Sequence, residues 1–502
     1  MKVHKIFIIS ASLLFLLSGC KRNVTGIHRD NGILIEQPAT IPFYPEKVSI
    51  DEIQNFPDFQ SIINAPVPDI SVYGLYAWYT YFSDYGHWQD EVTEVGWGSI
   101  RPGAHLTEFN DNAMRALIDI DIEIMLTVSG GRTKVRSYYG TDWDNEAQDQ
   151  AFIDEYISCL DTVLSRYGPN GTFFDDNPGQ PYKPVRYVEI WNEPNLHYLY
   201  GAYLDNPPSL TQKARLYARL LSASYNHIKG KWGDEIKVVG LSACGGSADD
   251  LYWGENPLDP NYGFIAQVHQ YVSEYGGNPA NCYDILSNHP YTHNCPPDAE
   301  DYPQGRNSYH YSVANSHHTY KQIMADYGNS NKPVWFTEVG YTRIEGVFER
   351  EEALPERFQA AYVVRLYLMA LRLGVETVHV MFMVDADGNN AGFFIYETRE
   401  WYESAHAVQN MIRIMPKPKL VSAVSDGIRG YYAYRIIPDV DNPGEPAVIV
   451  AWNVSGAITV PIPCENGRYE ITDMLGNTLH INTESNQLEM EIGPFPIYIK
   501  RK

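Results

Sequence analysis

Val185-Arg186-Tyr187-Val188-Glu189-Ile190-Trp191 is a short run dominated by Val, Ile and aromatic residues. Beyond it Ala214, Leu216, Tyr217, Leu220, Leu221 and Ile228 recur along one face of a helix. A second apolar run follows, Ile236-Lys237-Val238-Val239-Gly240-Leu241-Ser242. Continuous runs of this kind read as strands buried on both faces, and strand–helix–strand is the unit of a parallel sheet.

The same alternation extends in both directions. Ile70–Trp78, Val95–Arg101 and Ile122–Ser129 precede this unit, and Tyr283–His289, Pro333–Thr337 and Thr377–Val384 follow it, so there are eight runs. Two further amphipathic stretches sit between them. One carries Phe152, Tyr156, Ile157, Leu160, Val163, Leu164 and Tyr167 and stops at Gly168-Pro169. The other carries Phe358, Ala361, Tyr362, Leu366 and Met369 and stops at Gly374. Eight such units predict an α/β protein, a (β/α)8 TIM barrel over residues 61–415. A doubly wound sheet has no need of eight units, and no Gly-rich phosphate turn follows the first strand.

After Met415-Pro416-Lys417-Pro418 the pattern changes to short strands: Tyr431–Ile437, Ala447–Asn453, Ile458–Ile462, Tyr469–Asp473, Gln487–Ile492 and Pro496–Lys500. Turns such as Asn442-Pro443-Gly444 and Asn466-Gly467 separate them. Residues 416–502 therefore read as a small β-sandwich. Residues 21–60, with several Pro and Ile33-Leu34-Ile35, read as a linker or edge segment.

Composition narrows the class. Of 502 residues, 44% are hydrophobic and 20% charged, which excludes wholesale disorder. The formal net charge of −24 argues against a nucleic-acid partner, which needs clustered positive charge. Aromatic residues make up 13%, which by itself reads as ordinary packing.

Residues 1–20 read as an export signal: Lys2 and Lys5, then an apolar stretch from Ile6 to Leu17. Leu17-Ser18-Gly19-Cys20 resembles a bacterial lipobox. That resemblance implies cleavage before Cys20, lipidation of its thiol, and a membrane-anchored protein of the cell envelope, on either the periplasmic or the outward-facing side. The remaining cysteines are 159, 244, 282, 295 and 464, an odd number. Cys244 and Cys295 follow consecutive predicted strands and form a candidate disulfide. No Cys/His cluster has zinc-site spacing, so no metal is expected.

Functional residues of such a barrel sit at the C-terminal ends of strands. Two runs lead into a glutamate there: Ile190-Trp191-Asn192-Glu193-Pro194-Asn195 at the fourth, and Trp335-Phe336-Thr337-Glu338 at the seventh. A carboxylate following apolar residues is costly to bury unless paired or catalytic. Glycoside cleavage needs such a pair, one carboxyl to protonate the leaving oxygen and one to meet the positive charge growing on the sugar. Strict alternation would send Asn192 and Glu193 to opposite faces, so the strand must bulge or end there.

These two motifs resemble the fourth- and seventh-strand signatures of the clan A glycoside hydrolases. Ile190 to Asn195 with a trailing small β-domain is most similar to the family 39 enzymes. The resemblance implies a retaining hydrolase with Glu193 as acid/base, Glu338 as nucleophile and Asn192 on the sugar 2-hydroxyl, with no cofactor. Glu193 should then arrive protonated and Glu338 ionised with donors nearby. Arg101, at the end of the second run, is placed to keep Glu338 ionised. His289 and Tyr291 are placed to donate to Glu338 or to sugar hydroxyls, and His293 is a weaker candidate. Trp78 reads as a sugar platform or a buried anchor. Trp97 and Trp335 read as packing.

The eighth strand departs from the clan, many of whose members end it with Trp. Here Phe382 stands in that region, with Trp401 as the alternative, and Asp385 and Asp387 hold substrate or cap a loop. The loops Tyr252–Tyr262 and Asn294–Tyr311 overhang the proposed site. Two other readings remain: a carbohydrate-binding lipoprotein on an inactive barrel, and an adhesin using the sandwich. Neither has a reason to hold both glutamates.

Overall fold

The computed structural model describes residues 59–83, 88–105, 109–129, 143–196, 208–244, 263–292, 295–298, 313–343, 354–385, 390–427, 430–454 and 456–502. The export signal, Cys20, the 21–58 segment, His293, Asp387 and most of the two overhanging loops lie outside the described residues.

Eight parallel strands close into a barrel in chain order. They are β1 (Tyr73–Trp78), β2 (Ser99–His105), β3 (Glu123–Ser129), β4 (Tyr187–Ile190), β5 (Lys237–Cys244), β6 (Ile285–His289), β7 (Val334–Val339) and β8 (Val378–Val380). The outer helices that follow them are α1 (Gln89–Val95), α2 (Asp111–Asp119), α3 (Glu146–Tyr167), α4 (Leu210–Trp232), α5 (Phe264–Glu274), α6 (Val313–Asp326), α7 (Glu356–Leu373) and α8 (Glu403–Ile414). Strands β6 and β7 are buried at every position, as continuous apolar runs require. The stops read from sequence hold: the Gly168 N–H bonds Leu164 O at 2.8 Å, and Gly374 caps α7 at φ 72°.

One boundary differs in a way that matters. Val95 ends α1, whose C-cap Gly96 is left-handed at φ 94°, so β2 begins at Ser99. The strand then runs through Pro102-Gly103 to His105. Arg101 therefore lies inside β2, opposite Tyr76 of β1.

Beyond the barrel come two short strands, β9 (Val384–Asp385) and β10 (Phe394–Ile395), paired with each other. The C-terminal sandwich has a six-stranded sheet in the order β11-β12-β13-β18-β15-β16 and a β14-β17 pair. These are β11 (Lys419–Asp426), β12 (Tyr431–Ile437), β13 (Val448–Asn453), β14 (Ile458–Pro463), β15 (Gly467–Thr472), β16 (Thr478–Thr483), β17 (Gln487–Ile492) and β18 (Ile497–Arg501). Ile462, Leu488 and Ile492 of the pair pack on Ile449, Ile471 and Ile499 of the sheet. Sequence reading missed β11 and β16, because β16 is largely exposed and β11 carries two register shifts that break its alternation.

Barrel and sandwich are pinned by buried charge. Asp298, beyond β6, accepts from Arg365 Nε of α7 at 2.9 Å and from the Trp452 indole N–H of β13. Arg372 of α7 reaches Asp426 of β11 at 2.8 Å. The cysteines after Cys20 are all thiols, so the candidate Cys244–Cys295 bridge is not formed. No helix among the described residues is long and apolar enough to cross a membrane.

Candidate active site

The fourth-strand motif resolves its own geometrical difficulty. β4 ends at Ile190, and Trp191 and Glu193 both adopt left-handed backbone, at φ 70° and 47°. Trp191 is thereby turned outward between Phe152 and Tyr156 of α3, with ring centroids at 5.4 and 6.2 Å. Asn192 and Glu193 are left at the barrel mouth. The turn is anchored to β5: the Glu193 N–H bonds Ser242 O at 3.0 Å, and the Asn195 side chain bonds both the N–H and the C=O of Cys244. Lys213 of α4 holds Asn195 O at 2.6 Å. Left-handed non-glycine residues persist only where the surroundings over-determine them, and these contacts do so.

Glu338 sits near the end of β7. Gly340 beyond it permits close approach of the chain just past β8, since a Cβ there would stand 2.4 Å from Met381 O. Glu193 is 0% and Glu338 3% exposed, and a carboxylate oxygen of each lies within 4.8 Å of the other and of a His289 ring nitrogen. Those are also metal-ligating residue types, but His289 and Glu338 are already engaged in hydrogen bonds or ion pairs inside the site.

The partners of Glu338 come from β2 and from the residues just beyond β6. Arg101 Nη1 donates to its Oε2 at 2.7 Å, and the Tyr291 hydroxyl donates to its Oε1 at 2.7 Å. Burial pushes the Glu338 carboxyl above its usual range, and charge on Glu193 pushes it further. His289, Arg101 and the Tyr291 hydrogen bond pull it back. The Glu193 contribution exists only while Glu193 is ionised, so a proton on Glu193 favours the Glu338 carboxylate. Burial, with Glu338 next, raises the Tyr291 hydroxyl well above its usual value and keeps it a donor.

Arg101 also holds Asn192, with Nη2 to Oδ1 at 2.6 Å, so the Asn192 oxygen is engaged within the site. The guanidinium lies 4.9 Å from the centre of the Tyr76 ring, and burial raises the Tyr76 hydroxyl as well. Phe382 is buried and meets Tyr76 edge-on at 5.4 Å, in a cluster with Tyr291, Leu196 and Met381. Trp78 is half-buried and meets Tyr76 at 5.9 Å. Tyr76 thus links both rings to Arg101.

His289 does not donate to Glu338. Its Nδ1 faces Glu193 Oε1 at 3.1 Å and its Nε2 faces Thr337 Oγ1 at 3.0 Å. Asp385 is structural, held by Arg343, the Gly392 N–H and the Tyr402 hydroxyl. Trp401 packs on Phe394 and His406. Trp97 and Trp335 pack as expected, on Phe393 and on Tyr187.

Sequence reading missed a third carboxylate. Glu189 of β4 is 0% exposed. Its Oε2 accepts from Arg101 Nε at 2.7 Å and from Thr127 at 2.8 Å, and its Oε1 accepts from Ser287 at 2.7 Å. Burial alone would raise it. Arg101 and His289 beside it, with hydroxyls of Thr337 and Ser287, hold it down at about 2. The signal was present, since a glutamate inside an apolar strand is as costly as one at its end.

No known family profile and no curated protein sequence matches the chain. Solved structures do resemble it. A family 39 glycoside hydrolase from the gut symbiont Bacteroides cellulosilyticus WH2 superposes with a TM-score of 0.61 at 17% identity, over 87% of this chain and 83% of that one. A glucosidase from Croceicoccus marinus gives 0.54 at 13% identity, over 87% and 98%. A Paenibacillus polymyxa xyloglucanase of family 44 gives 0.51 at 11% identity, over 86% and 97%. At these identities the likeness is one of fold: the chain has the barrel-plus-β-domain fold that these glycoside hydrolases carry.

Proposed function

We propose that the protein is a retaining glycoside hydrolase acting on an oligo- or polysaccharide, with Glu193 as acid/base and Glu338 as nucleophile. The observation that carries this is the approach of the two carboxylates, within 4.8 Å between oxygens, at the ends of β4 and β7. Retaining enzymes hold their carboxyls about 5–5.5 Å apart, whereas inverting ones leave about 6.5–9.5 Å for a water. The donors divide accordingly. Glu338 has Arg101 and Tyr291 to stabilise an attacking anion. Glu193 faces His289, which can share its proton.

In this mechanism Glu193 protonates the leaving oxygen while Glu338 attacks the anomeric carbon. Glu193 then takes a proton from the water that releases the sugar. Asn192, fixed through its oxygen by Arg101, offers its amide N–H to the 2-hydroxyl. Trp78, Tyr76 and Phe382 supply apolar faces for sugar C–H groups.

The test is a screen of chromogenic β-glycosides and plant or algal polysaccharides with wild type, Glu193→Ala and Glu338→Ala. Turnover that survives Glu338→Ala without an added nucleophile overturns the assignment. The proposal extends to the cell envelope through the lipobox-like Leu17–Cys20. Palmitate labelling that persists in Cys20→Ser contradicts that part.

A further inference from the structure

Glu189, Ser287, Thr337 and His289 form a hydrogen-bonded chain that ends on Glu193. Its links are Glu189 Oε1 to Ser287 Oγ at 2.7 Å, Ser287 Oγ to Thr337 Oγ1, Thr337 Oγ1 to His289 Nε2 at 3.0 Å, and His289 Nδ1 to Glu193 Oε1 at 3.1 Å. Every member is fully buried, so water does not compete for these bonds.

The direction of the chain is dictated at its Glu189 end. An ionised carboxylate only accepts. Ser287 has one hydroxyl proton and must give it to Glu189, so its oxygen meets Thr337 as an acceptor. Thr337 has one proton as well, aimed at Ser287 or at Glu189 itself. Its oxygen can therefore only accept from His289, and Nε2 must carry a hydrogen. Nδ1 then faces Glu193 across 3.1 Å, and one proton has to lie between them. It sits either on Glu193 with a neutral imidazole or on the imidazole with a Glu193 carboxylate. Without it, two lone pairs would oppose each other.

We propose that Glu189 is a positioning residue that, through Ser287 and Thr337, fixes His289 Nε2 as a donor and so keeps the acid proton on the Glu193–His289 couple. This rests on the hydrolase reading for its catalytic meaning, although the direction of the chain does not. The other titratable groups facing the couple are Tyr76 from β1, Arg101 from β2, Tyr291 beyond β6 and Glu338 from β7, while His379 of β8 and Cys244 of β5 border Arg101 and Tyr291. None belongs to the chain, and all are unaltered in the variants below.

Glu189→Gln keeps the shape but adds an amide donor. The chain can then reverse: Gln to Ser287, Ser287 to Thr337, Thr337 to His289 Nε2, and His289 Nδ1–H to a Glu193 carboxylate. ¹⁵N NMR of histidine-labelled protein without substrate should show His289 Nε2 carrying a hydrogen in the wild type and bare in Glu189→Gln, where the hydrogen is on Nδ1 alone. With a substrate, the basic limb of kcat/KM should move down by roughly one pH unit in that variant. Thr337→Val cuts the chain without touching a charge and should move the limb the same way, which keeps the test open should Glu189→Gln not fold. Glu189→Asp, still acceptor-only, should leave the tautomer as in wild type. An unchanged His289 tautomer in Glu189→Gln, or a basic limb unmoved in Thr337→Val, overturns the proposal. A reversed tautomer in a protein inactive on every glycoside would instead preserve the relay and sink the hydrolase reading.

Discussion

Arg101 donates to Glu338 through Nη1 and to Glu189 through Nε, each at 2.7 Å, so one buried cation serves two buried carboxylates. Burial works against its charge, and the two carboxylates outweigh that and raise the guanidinium further. Arg101→Met would strand both anions. Breaking a buried pair from one side costs about 3–5 kcal/mol, so thermal unfolding should show a large loss. The variant that folds should lose about 10²–10³ in kcat. Near-normal activity would mean that Glu338 does not depend on this donor.

Tyr291→Phe removes a hydroxyl and leaves the ring in place. Its hydrogen bond holds the Glu338 carboxyl down, so its loss should raise that carboxyl further. The acid limb of kcat/KM, where Glu338 must ionise, should then move to higher pH. A charge-assisted bond is worth about 1.5–3 kcal/mol, which corresponds to roughly a 10–100-fold fall in turnover. An acid limb moving to lower pH would contradict the geometry.

Glu189 ties stability to acid pH. Its carboxyl is held at about 2 in the fold, against 4.5 for an unperturbed glutamate. Its contribution is therefore complete above about pH 4.5 and is lost as pH falls toward about 2, on the order of 3 kcal/mol in all. Glu338, raised in the fold, works the other way, and its contribution declines as pH rises above 4.5. Chemical denaturation between pH 2 and 5 should show a steep acid branch in wild type and a flatter one in Glu189→Gln. Equal slopes would contradict an ionised Glu189.

Asp298→Ala tests the joint between barrel and sandwich. It would leave Arg365 buried without its carboxylate and the Trp452 indole without its acceptor. The expected loss is again about 3–5 kcal/mol, read by thermal unfolding, with both limbs of the pH–rate profile where they were. A shift of either limb would show that the joint reaches the site.

Much of this was legible in the residues. Eight apolar runs and the helical faces between them define the barrel, because burial on both faces leaves no other pattern. Glu193, Glu338, Asn192, Tyr291 and Phe382 converge because strand ends in a barrel share one mouth, and Arg101 reaches them from inside β2. Less visible were relations set by register and hydrogen-bond direction. His289 looked like a partner of Glu338 and instead bridges Glu193 and Thr337. Glu189 was overlooked because its neighbours Thr127 and Ser287 come from other strands. Strand β16, open to solvent, has no apolar face to betray it.

The most direct test of the central claim is the anomeric configuration of the first-formed product, followed by ¹H NMR on a glycoside the wild type cleaves. Carboxylate oxygens within 4.8 Å predict that the sugar is released with its starting configuration, before mutarotation equilibrates it. Release of the opposite anomer would contradict the assignment of Glu338 as a nucleophile.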